Sequence, residues 1–154
     1  MSKILEPYMK SGPLAAFFLG ISSGFPFALI GATLTTRLAQ DGISKSSVTA
    51  FALTFLAYNF KPLWAPIVDN ISLPLLAKYG QRRSWLWFVS FLLICAIVAL
   101  GMADPSQALT IVAISALAVG VFGATLDIVI DAYRIELLAP NQLGVGSGMS
   151  QYGW

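Results

Sequence analysis

Four charged side chains stand inside otherwise apolar runs: Lys61, Asp127, Asp131 and Arg134. Such groups suit one chemistry well, the holding and release of protons or charged ligands away from bulk water. A carboxylate near the centre of a membrane helix costs about 2.5–3.5 kcal/mol, and each Leu, Ile, Val or Phe returns only about 0.3–0.6. Two lipid-facing aspartates would therefore offset much of what their span supplies, so a partner, a proton or water must relieve them. A carboxylate in a poorly hydrated place also gains affinity for a proton, which proton-coupled transport requires. A plainer reading ends the helix at Asp127, because the apolar run before it is already about long enough to span. Ile128, Val129, Ile130, Ala132, Tyr133 and Ile135 keep the segment apolar beyond that point, which favours function.

A second charged set, Asp69, Arg82, Arg83 and Glu136, falls at the ends of apolar runs. Paired charges at one mouth latch helices in one state and part in another, each state favoured by only a few kcal/mol. Other chemistries find little support. There is no histidine, and Cys95 is the only cysteine, mid-span, so neither a disulfide framework nor a metal set exists. No nucleophile stands with its base, and no cofactor motif appears. Gly144, Gly146 and Gly148 are spaced by two without a following lysine, a weak nucleotide signal. The chain is not expected to be an enzyme.

The elements that position these groups are membrane helices. Hydrophobic residues make up 57% of the 154 and charged residues 10%, against about a quarter charged in soluble domains. The formal charge of +2 points to no nucleic acid, since the basic residues flank apolar runs as topology signals. The fold class is all-α, a polytopic transmembrane bundle. Spans are expected at about 13–38, 48–68, 85–103 and 108–133, with a fifth starting at about 145.

In the fourth span, at about 100° per residue, Ala113, Ala116, Gly120, Gly123, Ala124, Asp127, Asp131 and Arg134 form one stripe. Ile111, Phe122 and Val129 lie opposite. Small residues on the charged stripe allow close approach of another helix or a ligand. In the first span Ser22, Ser23, Gly24 and Pro26 mark a break: the proline lacks an N–H and its ring opposes the Ser22 carbonyl. Such broken helices line binding sites, although a purely structural kink fits this segment as well. In the second span Thr54, Ala57, Tyr58, Lys61 and Ala65 share a face. Asp69 marks that span's end, about 12 Å along the axis from Lys61, too far for comfortable snorkelling. Lys61 is therefore expected to face a cavity and pair with Asp127 or Asp131. Pro62 and Pro66 predict irregularity nearby. The third span, with Trp85 and Trp87 at its start, reads as scaffold. Lys3, Lys10, Lys78, Arg82, Arg83 and Arg134 fall on one side of this arrangement, against Arg37 and Lys45 on the other. The excess places the N-terminus in the cytoplasm.

The strings FFLGISSGFPFAL, YNFKPLWAPIVD, RRSW and DIVIDAYRIELL, in that order and spacing, resemble the AmpG-type muropeptide permeases of the major facilitator superfamily, whose related branches include acetyl-CoA transporters. The resemblance implies a bacterial inner-membrane carrier of twelve or more helices that imports anhydro-muropeptides with protons for cell-wall recycling. It implies membrane lipid, protons and a muropeptide-like small molecule as partners, and no cofactor. By position, Asp69 with Arg82 and Arg83 corresponds to the superfamily's cytoplasmic gating motif, with Ala65 and Asn70 standing where glycine and a basic residue are common. Asp127 and Asp131 match the acidic pair of the fourth helix, with Leu126 where a glutamine is expected. With four helices and the start of a fifth, the chain is expected to be the N-terminal portion of such a fold, without the remaining helices and inactive alone. Two other readings stay open: a small non-transporting assembly or regulatory subunit, and a carrier of another cargo such as acetyl-CoA.

Overall fold

The computed structural model describes residues 5–73 and 80–154; Lys3 and Lys78, both counted for orientation, lie outside them. The helix of the first span begins at Ser11 and tolerates Pro13, because N–H groups of a first turn have no intrahelical partner anyway. This helix, α1 (Ser11–Ala28), contains Pro26, then passes into a wider π-helical stretch at Leu29–Leu34 and on into α2 (Thr35–Gln40). The proline thus loosens the winding downstream without ending the helix, and 30 residues run continuously from Ser11 to Gln40. At about 1.5 Å per residue that length exceeds the roughly 30 Å hydrocarbon core. Gly42, with φ 73°, closes the end. Its N–H donates to Ala39 at 3.2 Å and that of Ile43 to Leu38 at 3.1 Å, the pairing by which a left-handed glycine satisfies a helix's last carbonyls.

The expected second span is helical but not one helix. Ser44 caps α3 (Lys45–Ala50) by accepting from the Ser47 N–H at 3.3 Å. The chain then tightens into a 3₁₀ stretch (Phe51–Phe55), relaxes into α4 (Leu56–Asn59), turns at Phe60 and resumes as α5 (Lys61–Asn70). Pro62 and Pro66 withhold N–H groups from the carbonyls four residues earlier, and the residue before a proline is pushed away from helical angles. Lys61 therefore opens a helix instead of sitting in the middle of one.

Gly80, with φ 90°, starts α6 (Gln81–Met102), and a short turn leads to α7 (Leu109–Leu137). Asp104 closes that turn, accepting from the Ser106 hydroxyl at 2.7 Å and the Ser106 N–H at 2.9 Å. These two bonds, the hydroxyl's foremost, hold the Asp104 carboxyl below its usual range. After a 3₁₀ turn (Pro140–Gln142) comes α8 (Leu143–Gly153). Three stretches among the described residues are long and apolar enough to cross a membrane: Ser11–Gln40, Gln81–Met102 and Leu109–Leu137. The molecule is an all-α transmembrane bundle.

Helix α7 is its axis, with α6 along one side and α1 and the α4–α5 segment along the other. Ile30, Leu34, Leu38, Val89, Leu93, Leu100, Val112, Val119 and Ile130 form one buried cluster joining the first, third and fourth spans. Arg37 bolts this cluster at its end, donating to the α6 carbonyl of Leu100 at 3.2 Å and to Ala103 at 2.7 Å. A guanidinium there meets the negative end of the α6 dipole. The far face of α6 leaves Trp87, Phe91, Ile94, Val98 and Met102 exposed, a continuous apolar surface that suits lipid and would be a liability in water.

Candidate functional site

Two glycines on α7 decide how near its neighbours come. A methyl group on Gly120 would lie 2.8 Å from the Thr54 carbonyl oxygen, and one on Gly123 would lie 2.8 Å from Cβ of Pro26. Without those methyls, α1 and the segment containing Tyr58 close onto α7 one turn from Asp127. There Asp127, 8% exposed, accepts from Lys61 on one carboxylate oxygen and from the Ser23 hydroxyl on the other. The ammonium also lies 5.0 Å from the centre of the Tyr58 ring, a cation–π distance. Three stretches far apart in sequence thus converge on one desolvated carboxylate. Charge-assisted hydrogen bonds of this kind offset the cost of taking both ions out of water.

Asp131, one turn on, is handled differently. It pairs with Arg134 at 3.1 Å and stays 57% exposed. The four intramembrane charges therefore form two separate pairs, and both carboxylates border one cleft of about 280 Å³, lined also by Ser150, Gln151 and Trp154. The stripe on α7 is buried from Ala116 to Asp127, while Ala113 and Asp131 are exposed. Val129, on the opposite side by periodicity, is fully buried too, because neighbours flank this helix on both sides.

Of the residues at the expected break, Ser23, Gly24 and Pro26 are buried at helix contacts. Ser22 is not brought to Asp127: it is exposed and turns back to donate to the Phe18 carbonyl at 3.1 Å. At the other charged set, Arg82 reaches Asp69 at 2.5 Å and Glu136 at 3.1 Å, tying α5, α6 and α7 together. Arg83 makes no ion pair among the described residues and borders a neighbouring cleft with Tyr133 and Glu136.

The family model described as acetyl-coenzyme A transporter 1 matches residues 14–153. The chain belongs to that transporter family. It is 35% identical over its whole length to AmpG 4 of Rickettsia felis, covering 36% of that protein. It is 32% identical over 99% of its length to the anhydromuropeptide permease of Escherichia coli K12, covering 30% of that protein. AmpG 3 of Rickettsia prowazekii is 35% identical over 84% of the chain and is covered to 31%. The chain spans about a third of the length of these curated relatives. The AmpG resemblance read from its motifs, and the acetyl-CoA branch beside it, both stand.

In this family member three features of the site were not read from the residues. Trp64 donates its indole N–H to Thr125 at 3.2 Å, a second tie between α5 and α7; an aromatic at a span's end reads as an interface anchor, which hides such a role. Tyr58 stands between Lys61 and Gly123, and its hydroxyl is buried without a hydrogen-bond partner among the described residues. Helix α8 supplies one wall of the cleft. The signal for α8 was present: Gly20 and Gly24 are four apart and Ser150 and Gly153 three apart, spacings that put small residues on one face, where two membrane helices can touch. A methyl on Gly20 would strike the Ser150 backbone, and one on Gly24 would strike Trp154.

Proposed function

We propose that the chain forms the amino-terminal helices of a secondary carrier that imports anhydro-muropeptides with protons across a bacterial inner membrane, its N-terminus in the cytoplasm. The observation that carries this reading is Asp127 shared between Lys61 and Ser23 at the edge of an open polar cleft. Protonating Asp127 discharges its pair with Lys61. The freed ammonium can then hold a carboxylate of the cargo's peptide stem, and the contact between α1 and α7 through Ser23 weakens. Loss of the proton restores the pair and expels the cargo's carboxylate. One proton is thereby tied to one cargo molecule by exchange at a single ammonium. Arg82 between Asp69 and Glu136 serves as the cytoplasmic latch, because exposed pairs of this strength can be exchanged for few kcal/mol. The excess of Lys and Arg around the N-terminus, the 69–84 connection and Arg134 supports the orientation.

The test is uptake of labelled anhydro-muropeptide by vesicles holding the full-length carrier, with and without a proton gradient. Asp127→Asn should abolish accumulation while leaving membrane insertion intact; undiminished accumulation rejects the coupling role. The family description favours a second cargo, acetyl-coenzyme A, and the same vesicles offered that compound decide between the two.

A further inference from the structure

We infer that Tyr58 is a positioning residue for the proton site: its hydroxyl oxygen accepts the O–H of protonated Asp127 once Lys61 has let go. This rests on the coupling role of Asp127 proposed above. The Tyr58 oxygen is sealed from solvent and has no hydrogen-bond partner among the described residues, whereas buried polar atoms in folded proteins are overwhelmingly paired. A sealed atom gains a partner only when the groups already covering it move.

Those groups are the proton site itself. The hydroxyl fills the niche that Gly123 leaves on α7, where a methyl on the glycine would lie 2.5 Å from it. The ring stands edge-on to Phe27 at 5.3 Å between centroids, and the Lys61 ammonium lies 5.0 Å from its centre. Gly123 precedes Asp127 by one helical turn. Side chains on a helix tilt back over the residue four before them, so the Asp127 carboxyl leans toward the niche that holds the Tyr58 oxygen.

Hydrogen-bond capacity assigns the exchange. Charged Asp127 only accepts, from Ser23 on Oδ1 and from Lys61 on Oδ2. A proton arriving on Oδ2 makes that oxygen a donor, and an ammonium has no lone pair to receive it. The ammonium leaves with its three hydrogens and its charge, and Ser23 stays on Oδ1 in the weaker bond of a neutral group. The Tyr58 oxygen, its acceptor capacity unused, takes the new O–H. Loss of the proton returns the ammonium and leaves the phenol unpaired again. The tyrosine thus disfavours the ion-paired state and favours the protonated one, and both effects strengthen proton binding. Of the other charged groups, Asp131 and Arg134 pair with each other, and the α6 arginines lie with Tyr133 beside Glu136. Neither α1 nor α8 carries a charged residue, and Tyr152 of α8 is 83% exposed.

The experiment follows uptake of labelled anhydro-muropeptide into proteoliposomes of the full-length carrier across a range of pH. Tyr58→Phe keeps the ring, with its contacts to Phe27 and Lys61, and removes only the hydroxyl. The pH of half-maximal uptake should fall by about one unit, an approximately tenfold loss of proton affinity, as expected for one hydrogen bond to the neutral form. KM and the maximal rate at acid pH should stay within about twofold. A tyrosine that merely braces the fold would alter rate or stability and leave the profile in place. Melting in detergent reads the same exchange: Tyr58→Phe should match or exceed the parent at basic pH, where the hydroxyl is unpaired, and fall below it at acid pH. Should Tyr58→Phe fail to insert, the parent labelled with heavy-isotope tyrosine serves. One tyrosine C–O infrared band should then shift with the pH of uptake in the parent and stay fixed in Asp127→Asn. An unmoved profile, a melting difference of one sign at both pH values, or an unmoved tyrosine band overturns the inference. The coupling reading survives that result if Asp127→Asn still abolishes accumulation; undiminished accumulation in Asp127→Asn removes both.

Discussion

Lys61 and Asp127, 66 residues apart in sequence, form an ion pair that joins the first residue of α5 to the middle of α7. The pair has little water to fall back on, so its two halves are energetically coupled.

A double-mutant cycle measures that coupling. Lys61→Met alone leaves a buried carboxylate without its counter-ion, a change that costs about 3–5 kcal/mol in comparable pairs. Lys61→Met combined with Asp127→Leu removes both charges and should recover most of the loss, read as thermal unfolding in detergent. Additive effects would show that the two side chains do not act as a unit. Accumulation of cargo should be lost in the single and the double variants alike, because restored packing does not restore a proton site.

Neighbouring serines give a sharper comparison. Ser23 donates to Asp127 from a buried position, whereas Ser22 is exposed and bonds within its own helix. A hydrogen bond to a charged group is worth about 1.5–3 kcal/mol, so Ser23→Ala should lower stability by roughly that amount. Ser22→Ala should stay within about 0.5 kcal/mol, as surface changes do. Equal losses in the two variants would remove Ser23 from the site.

Much of this arrangement was legible before any coordinates, and the parts that were not share a cause. The stripe on α7 could be read because period and composition act within one helix, and the charges of Asp127, Asp131 and Arg134 mark their own cost in lipid. Lys61 was left with two candidate carboxylates, since Asp127 and Asp131 lie one turn apart on that stripe. Only the resting place of α5 against α7 selects Asp127. Ser23 could be read only as part of the break at Pro26, because sequence gives no sign of a partner 104 residues away. Pro62 and Pro66 announced irregularity, which takes the form of a turn at Phe60 that makes Lys61 a helix-opening residue, while the helix beyond runs through Pro66 unbroken. The small-residue spacings of α1 and α8 were visible separately, yet only their contact gives them meaning.

That contact yields a prediction with an internal control. Gly20 of α1 lies against the α8 backbone at Ser150, where a methyl has no room, whereas Gly148 of α8 has nothing within 4 Å of where its methyl would be. Gly20→Ala should therefore separate the helices and cost about 1–3 kcal/mol, the range for overpacking. Gly148→Ala should be neutral or stabilising by about 0.5–1 kcal/mol, because alanine loses less entropy on entering a helix. Melting temperatures of the two variants in one detergent decide it. A tolerated Gly20→Ala would mean that the two helices do not pack this closely.

Arg82 and Arg83 are neighbours of the same type with different partners, which makes them the last test. Arg82 spans two carboxylates from different helices, Nε toward Glu136 and NH1 toward Asp69, while Arg83 pairs with neither. Each exposed pair contributes about 0.2–1 kcal/mol, so losing both in Arg82→Ala should destabilise by roughly 0.4–2 kcal/mol and Arg83→Ala by almost nothing. Arg82→Lys should recover only part of the loss, since one compact ammonium cannot reproduce a fork that faces two directions. At about 1 M salt, where the screening length falls to about 3 Å, the gap between the Arg82 and Arg83 variants should shrink. A salt-independent gap would point to packing of the arginine stem and would take away the electrostatic basis for a latch at this mouth.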